Sequence, residues 1–295
     1  MAATRPSGTL KAFLDTKKAD TRLLGSIERH LLTRDLDTSR RTDVLHPSEL
    51  IKNDFCTRAA YFKLNGAVVE PDRPNLRLQN IFEEGHSIHD KWQTWIWQMG
   101  NLYGRWECLP CGGNWWGLSP TTCPDCASSL LRYREVPLVD NSLRIAGHAD
   151  GWVVGLGDPF LIEIKSIGTG TIRMEQPALL SSNDGDLSKA WRDIRRPFPS
   201  HLRQGQFYLE LLRRMKESGN YFQDQEIPTE IVFLYELKAD QSYKEFVVKA
   251  DAVVVKDSLD TAYDVVHAVS VGQPPKCPNN PDKGCKACAQ FQEEA

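Results

Sequence analysis

Eight cysteines limit what this 295-residue chain can fold into. They are Cys56, Cys108, Cys111, Cys123, Cys126, Cys277, Cys285 and Cys288, and by position they form two sets of four. The N-terminal stretch MAATRPSGTLKAFLDTKK has no apolar run long enough for a signal peptide. No run approaches the roughly 20 apolar residues of a membrane span. The expected location is therefore the cytoplasm, where clustered cysteines are metal ligands more often than disulfides. Cys108-x2-Cys111 and Cys123-x2-Cys126 are separated by eleven residues. That is the spacing of a zinc ribbon, in which two knuckles close one tetrahedral Zn²⁺ site. Gly112, Gly113 and Pro124 suit the tight turns of such knuckles. Residues 104–134 around them hold three of the eight tryptophans and few aliphatic residues, so the expectation is a small insert held by metal rather than by a core. It reads either as a structural staple or as a DNA-contacting finger, with Trp115 and Trp116 offered for stacking.

The remaining chain reads as alternating helices and strands. An N-terminal helical extension and linker over 1–45 carries Leu23, Leu24, Ile27 and Leu31 on one helical face. A helix is expected over HPSELIKNDFCTRAAYF, with Ser48 as N-cap and Cys56 within it. A second covers LQNIFEEGHSIHDKWQTWIWQM, its apolar face made by Ile81, Gly85, Ile88, Trp92 and Trp95. Strands follow at REVPLV, LRIAGHADGWVVG and PFLIEIKSI. A long polar loop over 168–199 leads to a helix at SHLRQGQFYLELLRRMK. Two paired strands, EIVFLYEL and YKEFVVKA, and a helix at SLDTAYDVVHAVSV precede the Cys-rich tail. This order argues an α/β or α+β domain with one central sheet.

The strand FLIEIKSI poses the chemical question. Its side chains alternate, so Leu161, Glu163, Lys165 and Ile167 share a face. An E-x-K pair on a strand with one wet face is commonplace. Asp150, one hairpin earlier, changes the reading. Two carboxylates and a lysine at a strand end suit a hard divalent cation and a phosphate. Such a metal lowers the pKa of a bound water and polarises the phosphoryl group.

On these residues the sequence resembles the PD-(D/E)XK nuclease superfamily, most closely the RecB-like branch that includes the CRISPR-associated iron–sulfur exonucleases and related phage nucleases. GHSIHD is similar to the branch's G-x-x-x-H, with His89 as the histidine and His86 as its competitor. GHADG matches G-x-x-D with Asp150, EIK supplies Glu163 and Lys165, and HLRQGQFY matches Q-x-x-x-Y with Gln204 and Tyr208. The resemblance spans most of 46–288. It implies a restriction-endonuclease-like α/β core, a central mixed sheet flanked by helices, over 46–295. It also implies Mg²⁺ or Mn²⁺ held by His89, Asp150, Glu163 and the Ile164 carbonyl, and a water positioned by Lys165. Gln204 and Tyr208, four apart on one helix face, would flank the catalytic site and the DNA. Cys56, Cys277, Cys285 and Cys288 resemble the branch's [4Fe–4S] staple. The tail (277–288) reads C-x7-C-x2-C where the family usually shows C-x2-C-x5-C, which leaves Zn²⁺ as the alternative occupant.

Net charge is −3, which argues against a non-specific nucleic-acid coat but not against a local basic groove. Seven basic residues lie between Lys189 and Arg214. Among them Arg192, Arg195, Arg196 and Arg203 are candidates for phosphate contacts and Trp191 for base stacking. Arg213 and Arg214 read equally well as solvated. The expected activity is a metal-dependent deoxyribonuclease, an exonuclease on single-stranded DNA or DNA ends, serving recombination, repair or phage replication. No Walker A pattern is present, so the chain works alone or with a helicase or recombination partner. The alternatives are CRISPR spacer processing, a structure-specific endonuclease, and a non-catalytic nucleic-acid-binding protein with two structural metal sites.

Overall fold

The computed structural model describes residues 23–33, 41–68, 74–219, 221–222, 224–282, 284–289 and 291. They fall into two units. The smaller holds the helix Leu24–Thr33 and the first turns of the helix Leu76–Gln98, as far as Glu84. The helix Leu24–Thr33 buries none of its residues. Residues 1–22 and 34–40 of the expected extension and linker lie outside the described residues. The larger unit, Arg41–Val69 with Gly85–Ala295, carries both sheets and every candidate site residue.

The architecture of the larger unit is mixed α/β. Its main sheet has seven strands: β1 (Leu102–Cys108), β2 (Asn114–Leu118), β3 (Leu131–Tyr133), β6 (Gly151–Val153), β7 (Phe160–Ile167), β8 (Glu230–Leu237) and β9 (Tyr243–Lys249). The order is β2-β1-β6-β7-β8-β9, with β3 also on β1. Within this sheet, among the described residues, only β7 and β8 pair in parallel. These two are nearly continuous apolar runs because both their faces are covered. Leu161, Ile162, Ile164 and Ile167 of β7 are buried, as are Ile231, Phe233, Tyr235 and Leu237 of β8. The helix Pro199–Glu217 packs on that core through Phe207, Tyr208, Leu211 and Leu212. It starts with proline at its first turn, where no backbone donor is lost. It comes close to β8 because residue 205 is glycine: a Cβ there would lie 2.4 Å from the Phe233 ring.

Several sequence expectations change. HPSELIKNDFCTRAAYF is two helices, Pro47–Leu50 and Thr57–Leu64. Pro47 opens the first, so Ser48 is not its N-cap. Cys56 N-caps the second, its Sγ accepting from Ala59 N at 3.4 Å. LRIAGHADGWVVG is two strands in different sheets. β5 (Ile145–Ala149) pairs with β4 (Val136–Asp140), and β6 joins the main sheet. Asp150 is the joint between them. Gly151 permits the crossing, since a Cβ there would meet the Ile162 side chain at 2.8 Å.

The polar stretch 168–199 is not a loop but three short helices, Thr169–Glu175, Pro177–Ser181 and Leu187–Asp193. Its sparse apolar residues Ile172, Leu180, Trp191, Ile194 and Phe198 are all anchored in the main core. The cysteine insert is not free-standing either. β1 pairs with β6 through Leu102↔Val153 and Tyr103↔Trp152. It has a core residue of its own: Trp106 is buried between Trp97 and Tyr133, with ring centroids 5.1 and 5.0 Å away. Among the described residues, no helix is long and apolar enough to cross a membrane.

Candidate active site and cysteine clusters

Antiparallel pairing of Gly151 with Ile162 sets Asp150 beside Glu163, one step further along. Asp150 is held at both ends. Its Oδ2 accepts from Ile164 N at 2.6 Å, and its backbone carbonyl accepts from Gln93 Nε2 at 2.8 Å. Its Oδ1 lies 3.3 Å from His89 Nδ1. The helix carrying His89 is fastened to β8 by Glu236, a buried carboxylate. Glu236 accepts from Lys91 Nζ and from Trp92 Nε1, each at 2.6 Å. The competing His86 is exposed. Of the expected apolar face of this helix, Ile88 is buried while Trp95 is exposed.

Glu163 is 2% exposed. Its Oε1 lies 2.7 Å from Lys165 Nζ, and its Oε2 has no hydrogen-bond partner among the described residues. Burial, then the negative charge of Asp150, push its carboxyl up to about 7, with Lys165 opposing. Burial acts to lower Lys165, but Glu163 and Asp150 outweigh it and hold the ammonium above its ordinary value. His89 follows the same pattern: burial lowers it, and Asp150 raises it further than that.

Gln204 and Tyr208 complete a chain from the helix Pro199–Glu217. Lys165 Nζ donates to Gln204 Oε1 at 3.1 Å, and Gln204 Nε2 donates to Tyr208 Oη at 2.6 Å. Burial raises the Tyr208 phenol well above its usual value, so it stays protonated. The glycine of GHAD makes room for this chain: a Cβ at Gly147 would sit 3.1 Å from the Pro47 ring and 3.4 Å from the Tyr208 ring.

One residue had no motif to announce it. Glu135 lies between β3 and β4 with a left-handed backbone, φ 56°. Ligand atoms of Glu135, His89 and Asp150 all fall within 4.8 Å of one another. Burial, then Asp150, raise its carboxyl to about 7. A lone glutamate after a strand carries no periodic signal; only a non-glycine forced to positive φ marks it. Glu135 also borders an open groove of about 620 Å³ that passes Gln93, Arg105, Tyr133 and His148.

Three buried or half-buried carboxylates thus converge with one histidine and one lysine. Burial and the nearby negative charge of Asp150 raise both Glu163 and Glu135, as expected of carboxylates gathered in one place. The donor set is oxygen-rich with one imidazole, and Glu163 Oε2 is unsatisfied among the described residues. That fits Mg²⁺ or Mn²⁺.

The expected DNA contacts divide. Arg192, Arg195 and Arg196 are exposed, and Arg203 is half-buried with its Nε unpartnered among the described residues. Trp191 is 6% exposed, packed in the main core with Lys244 Nζ 5.1 Å from its ring centroid. It cannot stack on a base without leaving the core. Arg213 and Arg214 are engaged with Glu210, and Arg214 also with Asp140. Trp116 stacks on Tyr103 at 5.8 Å and meets Phe222 edge-on.

All eight cysteines are free thiols in two tight groups. In the insert, Cys108 Sγ is 3.5 Å from Cys126 Sγ, and Cys111 Sγ is 3.7 Å from Cys123 Sγ. Cys56, Cys277, Cys285 and Cys288 are the second group.

No family model matches the sequence, and no curated protein matches it. Similar solved structures include an alkaline exonuclease (LHK-Exo) from Laribacter hongkongensis, at 12% identity and TM-score 0.42. That match covers 79% of this chain and 91% of that one. LHK-Exo in complex with dAMP is similar at 14% identity and TM-score 0.40, covering 79% and 90%. SSO0001 is similar at 12% identity and TM-score 0.34, covering 88% and 87%. At such TM-scores these likenesses carry no weight for fold or function.

Proposed function

We propose that this chain is a Mg²⁺- or Mn²⁺-dependent deoxyribonuclease of the PD-(D/E)XK superfamily, RecB-like branch. It acts as an exonuclease on single-stranded DNA or DNA ends, in recombination, repair or phage replication. The observation that carries the reading is the meeting of His89, Glu135 and Asp150 within 4.8 Å of one another, with Glu163 one register step from Asp150 and paired to Lys165, which is held in place from a separate helix.

His89, Asp150, Glu163 and the Ile164 carbonyl would hold the cation, with Glu135 as a further carboxylate. Bound there, the ion supplies a lowered water pKa and stabilises charge on the phosphoryl oxygens. The protein's own groups do the rest. Glu163 anchors the Lys165 ammonium, and Gln204, braced by Tyr208, fixes its direction. Lys165 then orients the attacking water and offsets charge developing on the phosphate. Water adds in line and one P–O bond breaks, without a covalent intermediate. Arg192, Arg195, Arg196 and Arg203 supply phosphate contacts along the strand. In the insert, the sulfur spacings of 3.5 and 3.7 Å match a tetrahedral Zn²⁺ site, whose S···S edges are about 3.8 Å.

The test is a time course on 5′- and 3′-labelled single- and double-stranded DNA with Mg²⁺ or Mn²⁺, comparing wild type with Asp150→Ala. Cleavage that needs the metal and falls by at least about a thousandfold in the variant supports the reading. The label pattern then gives polarity. Absence of cleavage by protein with both cysteine sites filled would point to a binding protein instead.

A further inference from the structure

The four sulfurs at the junction of residue 56 and the tail are too close together for the cluster that the family resemblance implies. Cys56 Sγ lies 3.8 Å from Cys277 Sγ, and Cys285 Sγ lies 3.9 Å from Cys288 Sγ. All four lie within 4.8 Å of one another. Thiolates around one Zn²⁺ at about 2.3 Å sit on a tetrahedron with edges of about 3.8 Å. A [4Fe–4S] cubane carries its thiolates outside eight cluster atoms, on a tetrahedron with edges of about 6 Å. The observed spacing fits the single ion, and it repeats the spacing of the Cys108–Cys126 group.

The surroundings hold that small geometry. Cys56 is the N-cap of the helix Thr57–Leu64, and its Sγ accepts from Ala59 N. Cys288 Sγ accepts from Cys285 N at 3.3 Å, much as Cys123 Sγ accepts from Asp125 N at 3.4 Å in the insert. Cys56, Cys277 and Cys288 are buried, and Phe62 stacks on Phe291 at 5.3 Å beside them.

We infer that Cys56, Cys277, Cys285 and Cys288 form a closed mononuclear Zn²⁺ site in place of an iron–sulfur cluster, so that each of the two Cys₄ groups holds a zinc ion and neither is a redox centre. Four protein thiolates leave no open coordination position, so the site is structural. It clasps the start of one helix to the tail, across a loop of 221 residues in sequence.

The inference is independent of nuclease activity and is tested by metal content. Full-length protein is produced anaerobically with iron in excess, and zinc, iron and acid-labile sulfide are counted per chain. Two zinc ions with neither iron nor sulfide is the expected result. About four iron and four sulfide with one zinc would overturn it, and so would one zinc with nothing in the second set. Cys285→Ser should lower zinc from two to one. Should that variant fail to fold, Cys285→His should keep two, because zinc accepts Cys₃His sites. Co²⁺ exchanged into wild type should show the visible bands of two tetrahedral thiolate sites; bands of one only would count against the inference.

Discussion

Glu163→Gln should make the protein more stable when Mg²⁺ is withheld, and should abolish its activity when Mg²⁺ is supplied. Glu163 is buried beside Asp150, and its carboxyl is held up from the ordinary 4.5 to about 7. An acid whose pKa is higher in the folded state binds more protons folded than unfolded. Stability is then lost as pH rises from about 4.5 to about 7, and the loss is complete above that window. At about 1.4 kcal/mol per pH unit, the ionised carboxylate costs about 3 kcal/mol at pH 8. Glutamine keeps the shape without the charge, so the variant should gain about 3 kcal/mol at pH 8, roughly 5 °C in Tm for a chain of this size. Near pH 5 wild-type Glu163 is largely protonated, and the difference should fall below about 1 kcal/mol. His201 is buried, which lowers it to about 3, and it destabilises the fold as pH falls below its ordinary 6.5. It does so equally in both proteins and drops out of the comparison. The assay is urea unfolding followed by circular dichroism at pH 5 and pH 8, with the cysteine-bound metal left in place and divalent cations otherwise omitted. Adding Mg²⁺ should stabilise wild type more than the variant, closing the gap. A Glu163→Gln protein less stable than wild type at pH 8 would refute the reasoning. Glu163 and Lys165 would then be an ordinary buried ion pair that holds the fold, whose rupture costs several kcal/mol.

Tyr208→Phe removes the acceptor of the 2.6 Å bond from Gln204; a neutral hydrogen bond of about 1 kcal/mol predicts kcat down about fivefold to tenfold with KM for DNA unchanged. Gln204→Leu also loses the bond to the charged Lys165 and should fall further, by about tenfold to a hundredfold; steady-state kinetics showing a KM effect alone would place these residues on the DNA rather than behind Lys165. Arg195→Ala with Arg196→Ala should weaken binding of single-stranded DNA and flatten the slope of log Kd against log salt by about 1.4, read from a titration series. Trp191→Ala should cost about 3–5 kcal/mol in urea unfolding, with the salt slope unchanged; lost affinity at full stability would return Trp191 to the DNA surface.

The candidate cluster is legible in the sequence for a specific physical reason. β7 is covered on both faces, so its pattern should be apolar throughout, and the two charges at Glu163 and Lys165 stand out against Leu161, Ile162, Ile164 and Ile167. Gln204 and Tyr208 are legible because four residues make one helical turn, and the geometry joins them through a single bond to Lys165. What hides is whatever depends on a break in regular structure. The motif names Asp150 but not the joint it forms: one strand-like run becomes two strands in different sheets there, and alternation continues across the joint as though nothing happened. Glu135 sits at a similar break, in a left-handed conformation that no periodicity encodes.

The stretch 168–199 hides for the opposite reason. Its polar majority masks a few anchors, so Trp191 among arginines looks like a DNA-binding aromatic although it serves the core. Cysteine spacing has the same limit. It says that four thiolates can meet, but not how far apart they stop. That distance, under 5 Å in both groups, separates a single ion from a cluster, because the cage must be as large as what it holds. The two breaks and the two sulfur cages therefore bracket what a motif conveys: the donor atoms and their order along the chain. The backbone joints at Glu135 and Asp150 decide which donors reach one point. The packing around Cys56 and Cys288 decides how much space is left between them.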